Sequence, residues 1–275
     1  MDVSDSTLRG MHIGAAVCHL AQFAYAEALV NTVFKDQGEF PIGNPVLNHP
    51  DSTIGTYNVA QIVPIFSLLS AVNHTWSFSD FSGYLTWLDR GYNPVRWMEY
   101  SASASLMYWV MGTLSGIVDV KTLVFLALSN VVLQVGGYSI EKDSASAIRH
   151  DDARFYDAAI RQQGMMFLLF AAQMVCIWTA FFTSVAESTE AVPISVWFII
   201  FIITAFFISF GLLSMAYTRG FNKSSRVLSE SHFRRVEVGY IILSFLAKTF
   251  LMNMVLFGSV SVPITQTSPT PTPQK

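Results

Sequence analysis

Charged residues are scarce in this chain of 275 residues. Asp, Glu, Lys and Arg make up only 13% of it, whereas hydrophobic residues make up 52% and include 22 Phe and 6 Trp. A soluble domain needs a larger charged surface, so the composition predicts an integral membrane protein. The small net charge of −3 and the lack of a basic cluster argue against a nucleic-acid partner.

Cysteine is scarcer still, and the residue patterns of common enzyme sites are missing. Cys18 and Cys176 both fall in apolar segments, where we expect buried free thiols. No spacing of His, Cys, Asp and Glu suits a metal ion, and no nucleophile–base–orienter set is recognisable. The N-terminus lacks the basic-then-apolar pattern of a cleaved signal peptide, so the first apolar segment is expected to direct insertion. The sequence therefore predicts a membrane protein that is not an enzyme.

Apolar segments of about 20 residues, the length that crosses a bilayer, recur along the chain. Seven are found, at residues 11–34, 57–78, 94–118, 120–140, 164–186, 193–217 and 236–258. They predict an all-α bundle of seven transmembrane helices that occupies residues 1–260 as a single domain. A long loop at 35–56, with strand-forming residues at 40–46, joins the first two spans. The Thr/Pro-rich tail at 261–275 is expected to be disordered.

Lysine and arginine are distributed unevenly between the two sets of loops. Because positively charged loops stay in the cytoplasm, the face with more of them is predicted to be cytoplasmic. This places the N-terminus inside and the C-terminus outside a cell or host plasma membrane. The N-terminal face has twelve, namely Arg9, Arg90, Arg96, Lys142, Arg149, Arg154, Arg161, Arg219, Lys223, Arg226, Arg234 and Arg235, and the opposite face has only Lys35, Lys121 and Lys275.

Lys248 lies near the middle of the seventh predicted span, in an otherwise almost wholly apolar run. A lysine at that depth costs about 2.5–3.5 kcal/mol on insertion scales, so it needs a compensating role. An ε-amine in an apolar pocket loses its proton readily and can form a Schiff base with an aldehyde. Two other roles fit the same position: a structural ion pair with an intramembrane carboxylate, or a place along a transport pathway.

Glu99 is the best-placed carboxylate to neutralise a cation at Lys248. It lies about two turns into the third predicted span, after the helix-starting Pro94, and Ser103 follows on the same face. A buried cation needs a carboxylate nearby to keep its charged form stable. The alternative for Glu99 is a shallow acid paired with Arg96, one turn earlier.

Further polar side chains recur at helical spacing within the spans. Ser244 precedes Lys248 by one turn and can hydrogen-bond to the Schiff base or Glu99, or back to its own helix. Histidine titrates in the range needed to store a proton. We therefore expect a polar network on the cytoplasmic side of the bundle, formed by His19, Gln22, Ser70, His74 and Arg96.

Aromatic residues in the spans could surround a long apolar ligand, although aromatic stripes at helical spacing more often serve packing alone. The residues considered for this role are Trp109, Trp178, Trp197, Phe206 and Phe207.

Two segments resemble a known family. The segment Arg96-Trp-Met-Glu-Tyr-Ser-Ala-Ser-Ala-Ser-Leu-Met resembles the third-helix signature of heliorhodopsins, and Ser244-Phe-Leu-Ala-Lys248 resembles their retinal-attachment helix. The resemblance extends over essentially the whole chain. The predicted inverted orientation is also typical of this family, and so are the polar pairs His19 with Gln22 and Ser70 with His74.

The resemblance implies a light-sensing photoreceptor. All-trans retinal would be bound to Lys248 as a Schiff base, with Glu99 as the sole carboxylate counterion. Light would isomerise the retinal to 13-cis and start a slow photocycle with proton transfer into the histidine network. The resemblance also implies a homodimer, formed partly through the first extracellular loop, and a signalling output through an unknown cytoplasmic partner.

A conventional ion pump is not expected. Ordinary microbial proton pumps carry carboxylates at the positions where this chain has Val110 and Ser244. An alternative is a light-gated proton channel that uses acids near the outer face, which are Glu27, Glu187 and Glu190. A further alternative is a retinal-free transporter in which Lys248 and Glu99 only form an ion pair.

Overall fold

A computed structural model of the chain describes residues 3–35, 39–43, 53–150, 152–188, 192–219 and 230–259. Within these residues the chain forms eight α-helices and a two-stranded sheet. The elements in order are α1 (Asp5–Thr32), β1 (Glu39–Gly43), β2 (Thr53–Asn58), α2 (Ile62–Ser79), α3 (Phe81–Asp89), α4 (Pro94–Leu114), α5 (Val120–Arg149), α6 (Ala153–Glu187), α7 (Ile194–Arg219) and α8 (Glu230–Met254). A 3₁₀ turn, Val59–Gln61, precedes α2, and a π-helical turn, Val255–Ser259, extends α8.

Each predicted span corresponds to one helix, and α3 is an additional short helix in the link before α4. Several predicted boundaries were wrong. Tyr57 belongs to β2, so α2 begins five residues later than its predicted span, at Ile62. Helices α5 and α6 continue well beyond their apolar runs, and Glu141, which directly follows the fourth predicted span, is inside α5. The predicted tail at 261–275 lies outside the described residues.

Five of the described helices are long and apolar enough to cross a membrane: α1, α5, α6, α7 and α8. Helices α2 and α4 contain the inward-facing polar residues Ser70, His74, Arg96 and Glu99, which lower their hydropathy. Both helices nevertheless pack against the others, α2 against α1 and α4 and α4 against α5. The chain is thus an integral membrane protein, and the seven-span count and its orientation remain predictions.

The strands form an antiparallel hairpin in which Glu39 pairs with Asn58 and Phe40 with Tyr57. The predicted strand near 40–46 is therefore present as β1, and residues 44–52 lie outside the described part. The side chain of Asn58 donates to the Phe34 carbonyl oxygen at 3.2 Å and accepts from the Ala60 amide at 2.8 Å. Asn58 thereby fixes the base of the hairpin to the end of α1 and the start of α2.

The outward surface of the bundle is apolar. Val17, Phe125 and Leu168 are 62%, 66% and 74% exposed, as expected of side chains that face lipid. Cys18 is also exposed and Cys176 is half-buried, so the prediction of buried thiols was wrong. The apolar composition of these segments reflects contact with lipid as well as burial in the protein core, so it does not show that a given residue is buried.

Candidate functional site

Lys248 lies in the protein interior at the meeting point of α2, α4 and α8. Only 2% of it is exposed, and its Nζ donates to Ser70 Oγ at 2.6 Å, Glu99 Oε1 at 2.6 Å and Ser244 Oγ at 2.9 Å. Ser70 also donates to Glu99 Oε1 at 2.8 Å. The amine therefore has three acceptors for its three protons. The alternative pairing of Glu99 with Arg96 is not what the structure has.

The local sequence explains how Glu99 reaches Lys248. Asn93 caps α4 by accepting from the Arg96 amide at 3.2 Å, and Pro94 occupies the first turn, where its missing N–H has no cost. The cap fixes the start of α4, and Glu99 and Ser103, one turn apart on the same face, are both buried. Ser244 is one turn before Lys248 on α8, so both face the same side.

A largely apolar cavity adjoins Lys248. It is partly open to the surface of the bundle and is bounded by side chains of α4, α5, α6, α7 and α8. Ser103 lies in its wall, and the hydroxyl of this fully buried residue has no hydrogen-bond partner among the described residues. Other lining residues are Tyr100, Met107, Tyr108, Asn130, Gln134, Phe170, Phe207 and Phe210.

Of the five aromatic residues considered for this wall, only Phe207 is among the described lining residues. Trp109 instead donates to Tyr57 Oη at 2.9 Å, and Trp178 packs edge-on against Phe201 with ring centroids 4.5 Å apart. Phe206 packs against Phe250. Adjacent residues point about 100° apart around a helix, so Phe207 reaches the cavity and Phe206 does not.

The histidines of α1 and α2 form a cluster beside Lys248. His12 Nδ1 and His74 Nδ1 are 2.9 Å apart, one donating and the other accepting, and the His19 ring stacks on that of His74 at 5.7 Å. His19 also hydrogen-bonds to Gln22 Oε1 at 3.0 Å, and Gln22 donates to Thr249 at 2.6 Å. The predicted network residues of these two helices therefore lie together.

Arg96 belongs to a different group. It is 3% exposed and forms salt bridges with Glu141 of α5 and Glu237 of α8, while its guanidinium lies 4.0 Å above the centre of the Tyr240 ring. Its neighbour Trp97 donates to Glu141 Oε2 at 2.8 Å. Arg96 thus joins α4, α5 and α8 instead of pairing with Glu99. We call Arg96, Glu141 and Glu237 the arginine cluster.

Glu27 and Glu187, two of the three acids predicted near the outer face, do not contact the Lys248 site. Glu27 accepts a hydrogen bond from Asn31 at 3.0 Å on its own helix, and Glu187 is the exposed last residue of α6. Glu190 lies outside the described residues. No contact between Glu27 or Glu187 and Glu99 occurs within the described parts of the chain.

Four site residues escaped prediction: His12, Thr249, Glu141 and Glu237. His12 carried a usable signal, because it precedes His19 by seven residues and so shares its helix face. Glu141 directly follows the fourth apolar run and was assigned to a loop for that reason. Glu237 lies at the start of the seventh span, and its partner Arg96 was considered only for Glu99.

The fold defines the class of protein. The crystal structure of the transmembrane domain of Salpingoeca rosetta rhodopsin phosphodiesterase is similar to this chain, with a TM-score of 0.57 and 13% sequence identity over 91% of this chain and 83% of that one. At this identity the similarity shows the fold alone, which is that of a rhodopsin transmembrane domain. Among curated proteins, no sequence matches the chain.

The sequence defines the family more closely. The family model of heliorhodopsins matches residues 8–260. The chain belongs to the heliorhodopsin family, as the motifs around Glu99 and Lys248 predicted. Membership in this family points to a retinal photoreceptor.

Proposed function

We propose that this protein is a light-sensing photoreceptor that holds all-trans retinal on Lys248, with Glu99 as the counterion. The observation that carries the proposal is the buried contact of 2.6 Å between Lys248 Nζ and Glu99 Oε1 at the edge of an apolar cavity. A lysine buried this deeply can form a Schiff base with an aldehyde ligand.

The cavity suits retinal. Ligand sites generally combine an apolar wall with a few polar groups, and this cavity has both: Met107, Phe170 and Phe210 are among its apolar residues, and Asn130 and Gln134 are among its polar ones. Tyr108 and Phe207, stacked on each other with ring centroids 4.8 Å apart, give its wall an extended aromatic surface. Retinal when bound would supply the light absorption and the change of shape on isomerisation.

The chain's own residues would control the proton at Lys248. The Glu99 carboxylate, held by the hydrogen bond that Ser70 donates to it, would keep a positive charge on the nitrogen stable in the dark. His19 and His74, stacked beside this group, would accept a proton displaced by light. The proposed output is regulatory, passed to a cytoplasmic partner by a homodimer.

Ion pumping is not part of the proposal. Val110, where ordinary proton pumps have a second carboxylate, is wholly buried and apolar, and Ser244 replaces the acid one turn before the lysine. The described part of the bundle therefore has no pump relay that could carry a proton onward from the histidine cluster.

Absorption spectroscopy tests the proposal. The chain expressed with all-trans retinal should show a visible band, which Lys248→Ala abolishes and which the exposed control Lys142→Ala leaves unchanged. Acid should move the band to longer wavelength, because protonated Glu99 no longer stabilises the positive charge on the nitrogen in the ground state. Glu99→Gln should show the shifted band already and should respond little to acid. A colourless wild-type protein would refute the proposal.

A further inference from the structure

The arginine cluster is buried and carries a net negative charge. Glu141 and Glu237 share Arg96, and the exposure of the three side chains is 4% or less. Two carboxylates against one guanidinium leave a formal charge of −1 in the interior. Such a charge is costly in a low-dielectric environment, so the cluster gains stability by taking up a proton.

The two carboxylates are bound differently. Glu141 Oε2 accepts from the Trp97 indole at 2.8 Å and from the Asn93 backbone amide at 3.2 Å, both of which are fixed in α4 or at its cap. Glu237 Oε1 accepts from the Asn93 side chain at 2.7 Å and from the Tyr84 hydroxyl at 3.3 Å. A hydroxyl can both give and receive a proton, so Glu237 has a partner that can deliver one.

Tyr84 also connects Glu237 with the histidine cluster. Its ring packs edge-on against His12, with ring centroids 4.6 Å apart, and His12 in turn hydrogen-bonds to His74. A narrow polar cavity runs between the same groups, and its lining includes His12, His74, Glu99 and Glu237 but not Glu141.

Three atoms bordering this cavity have no hydrogen-bond partner among the described residues: Glu99 Oε2, His12 Nε2 and Asn73 Oδ1. Polar atoms that face one another across such a space can be bridged by water, and a proton can cross such a bridge.

We propose that Glu237 is a second proton-binding site, which receives a proton from the Lys248–Glu99 site by way of the histidine cluster. The inference rests on the proposed photoreceptor function and extends it. One proton leaves the Lys248 nitrogen and one arrives on the Glu237 carboxylate, with no electron transferred. The arginine cluster changes from a charge of −1 to 0, and Arg96 stays paired with Glu141.

Protonation of Glu237 has a structural consequence. The carboxylate holds the start of α8 to Arg96 of α4 and to the Asn93 cap. A neutral carboxyl group binds a guanidinium far more weakly than a carboxylate does. The proton therefore loosens α8 from α4 at the predicted cytoplasmic end of the bundle, where a partner can sense the change.

Other charged and titratable groups surround Glu237, and all of them enter its titration. They are His12 of α1, His74 of α2, Tyr84 of α3, Arg96, Glu99 and Tyr100 of α4, Glu141 of α5, Tyr217 of α7, and Arg234 and Tyr240 of α8.

Light-minus-dark infrared spectroscopy of the full chain with all-trans retinal tests the proposal. We expect a new C=O band of a protonated carboxyl group that shifts in D₂O. The band should disappear in Glu237→Gln and remain in the matched variant Glu141→Gln. Glu237→Asp, which keeps the acid, should retain the band at a changed frequency. A band that survives Glu237→Gln, or that Glu141→Gln removes, would overturn the assignment.

A measurement in the dark separates this inference from the proposed function. The retinal-free protein is titrated with acid while its carboxyl bands are recorded, and Glu237→Gln should lose one titrating buried carboxyl that Glu141→Gln retains. If the wild type is coloured but neither the infrared difference spectrum nor the dark titration detects Glu237, the inference is contradicted and the proposed function is not. A wild type that does not bind retinal contradicts the photoreceptor, and the dark titration then decides on Glu237.

Discussion

At the Lys248 site, the ammonium and one oxygen of the Glu99 carboxylate share their hydrogen bonds with two serines. The ammonium donates to Ser70, Glu99 and Ser244, and Glu99 Oε1 accepts from both Lys248 and Ser70. If the nitrogen carried retinal as proposed, it would have a single N–H, which Glu99 could accept. The hydrogen bond that Ser70 donates to Glu99 would then hold the carboxylate in place.

The buried pair predicts strong coupling between its two members in the retinal-free protein. Lys248→Met or Glu99→Gln alone should lower the free energy of unfolding by about 3–5 kcal/mol, because each leaves a buried group without its partner. The double variant should recover most of that loss, since no unpaired charge remains. Reversible unfolding in detergent measures the three values, and losses that simply add would show that the pair is not coupled.

At the scale of elements, the polar site explains why α2 and α4 are not among the described helices that are apolar enough to cross a membrane. Helices α2 and α4 supply Ser70, His74, Glu99 and Arg96, and these side chains face inward.

The short turn between α4 and α5 requires a glycine. Gly116 has a φ of 90°, and a Cβ there would collide with the Ser184 side chain. Only glycine suits this position, and it lets α4 and α5 pack closely side by side.

Asp119 at the start of α5 offers a test of that hairpin. Its carboxylate accepts from the Thr122 hydroxyl at 2.6 Å and the Thr122 amide at 3.0 Å. Asp119→Ala should therefore lower the free energy of unfolding by about 1 kcal/mol, whereas Asp119→Asn, which also caps helices well, should change it little. Unfolding in detergent at neutral pH checks both variants, and equal losses would contradict the capping role.

The pH dependence of this cap has a defined sign. The hydrogen bond from the Thr122 side chain, helped by the backbone amides, lowers the pKa of Asp119 below its ordinary value of 3.8. Its contribution is therefore fully present above pH 3.8 and is lost as the pH falls through the lowered pKa. The difference in free energy of unfolding between wild type and Asp119→Ala should narrow only in that acidic range.

At the scale of the whole molecule, the sequence predicted the parts that depend on long apolar runs and on motifs. These parts are the family, the membrane class and the proximity of Glu99 to Lys248. The arginine cluster was missed because Glu141 lies beyond the apolar run of α5, and because Arg96 was considered only as a partner of Glu99. Phe206 and Trp178 were expected in the cavity wall but pack elsewhere, because packing between helices determines which residues of a helix face the cavity.

The central claim is that Lys248 carries retinal, and chemical trapping tests it most directly. The chain is incubated with all-trans retinal, reduced with borohydride and digested, and the retinyl group is located by mass spectrometry. The chain offers six lysines: Lys35, Lys121, Lys142, Lys223, Lys248 and Lys275. The account predicts the retinyl mass on the peptide that contains Lys248 and on no other lysine. A label on another lysine, or no label at all, would contradict it.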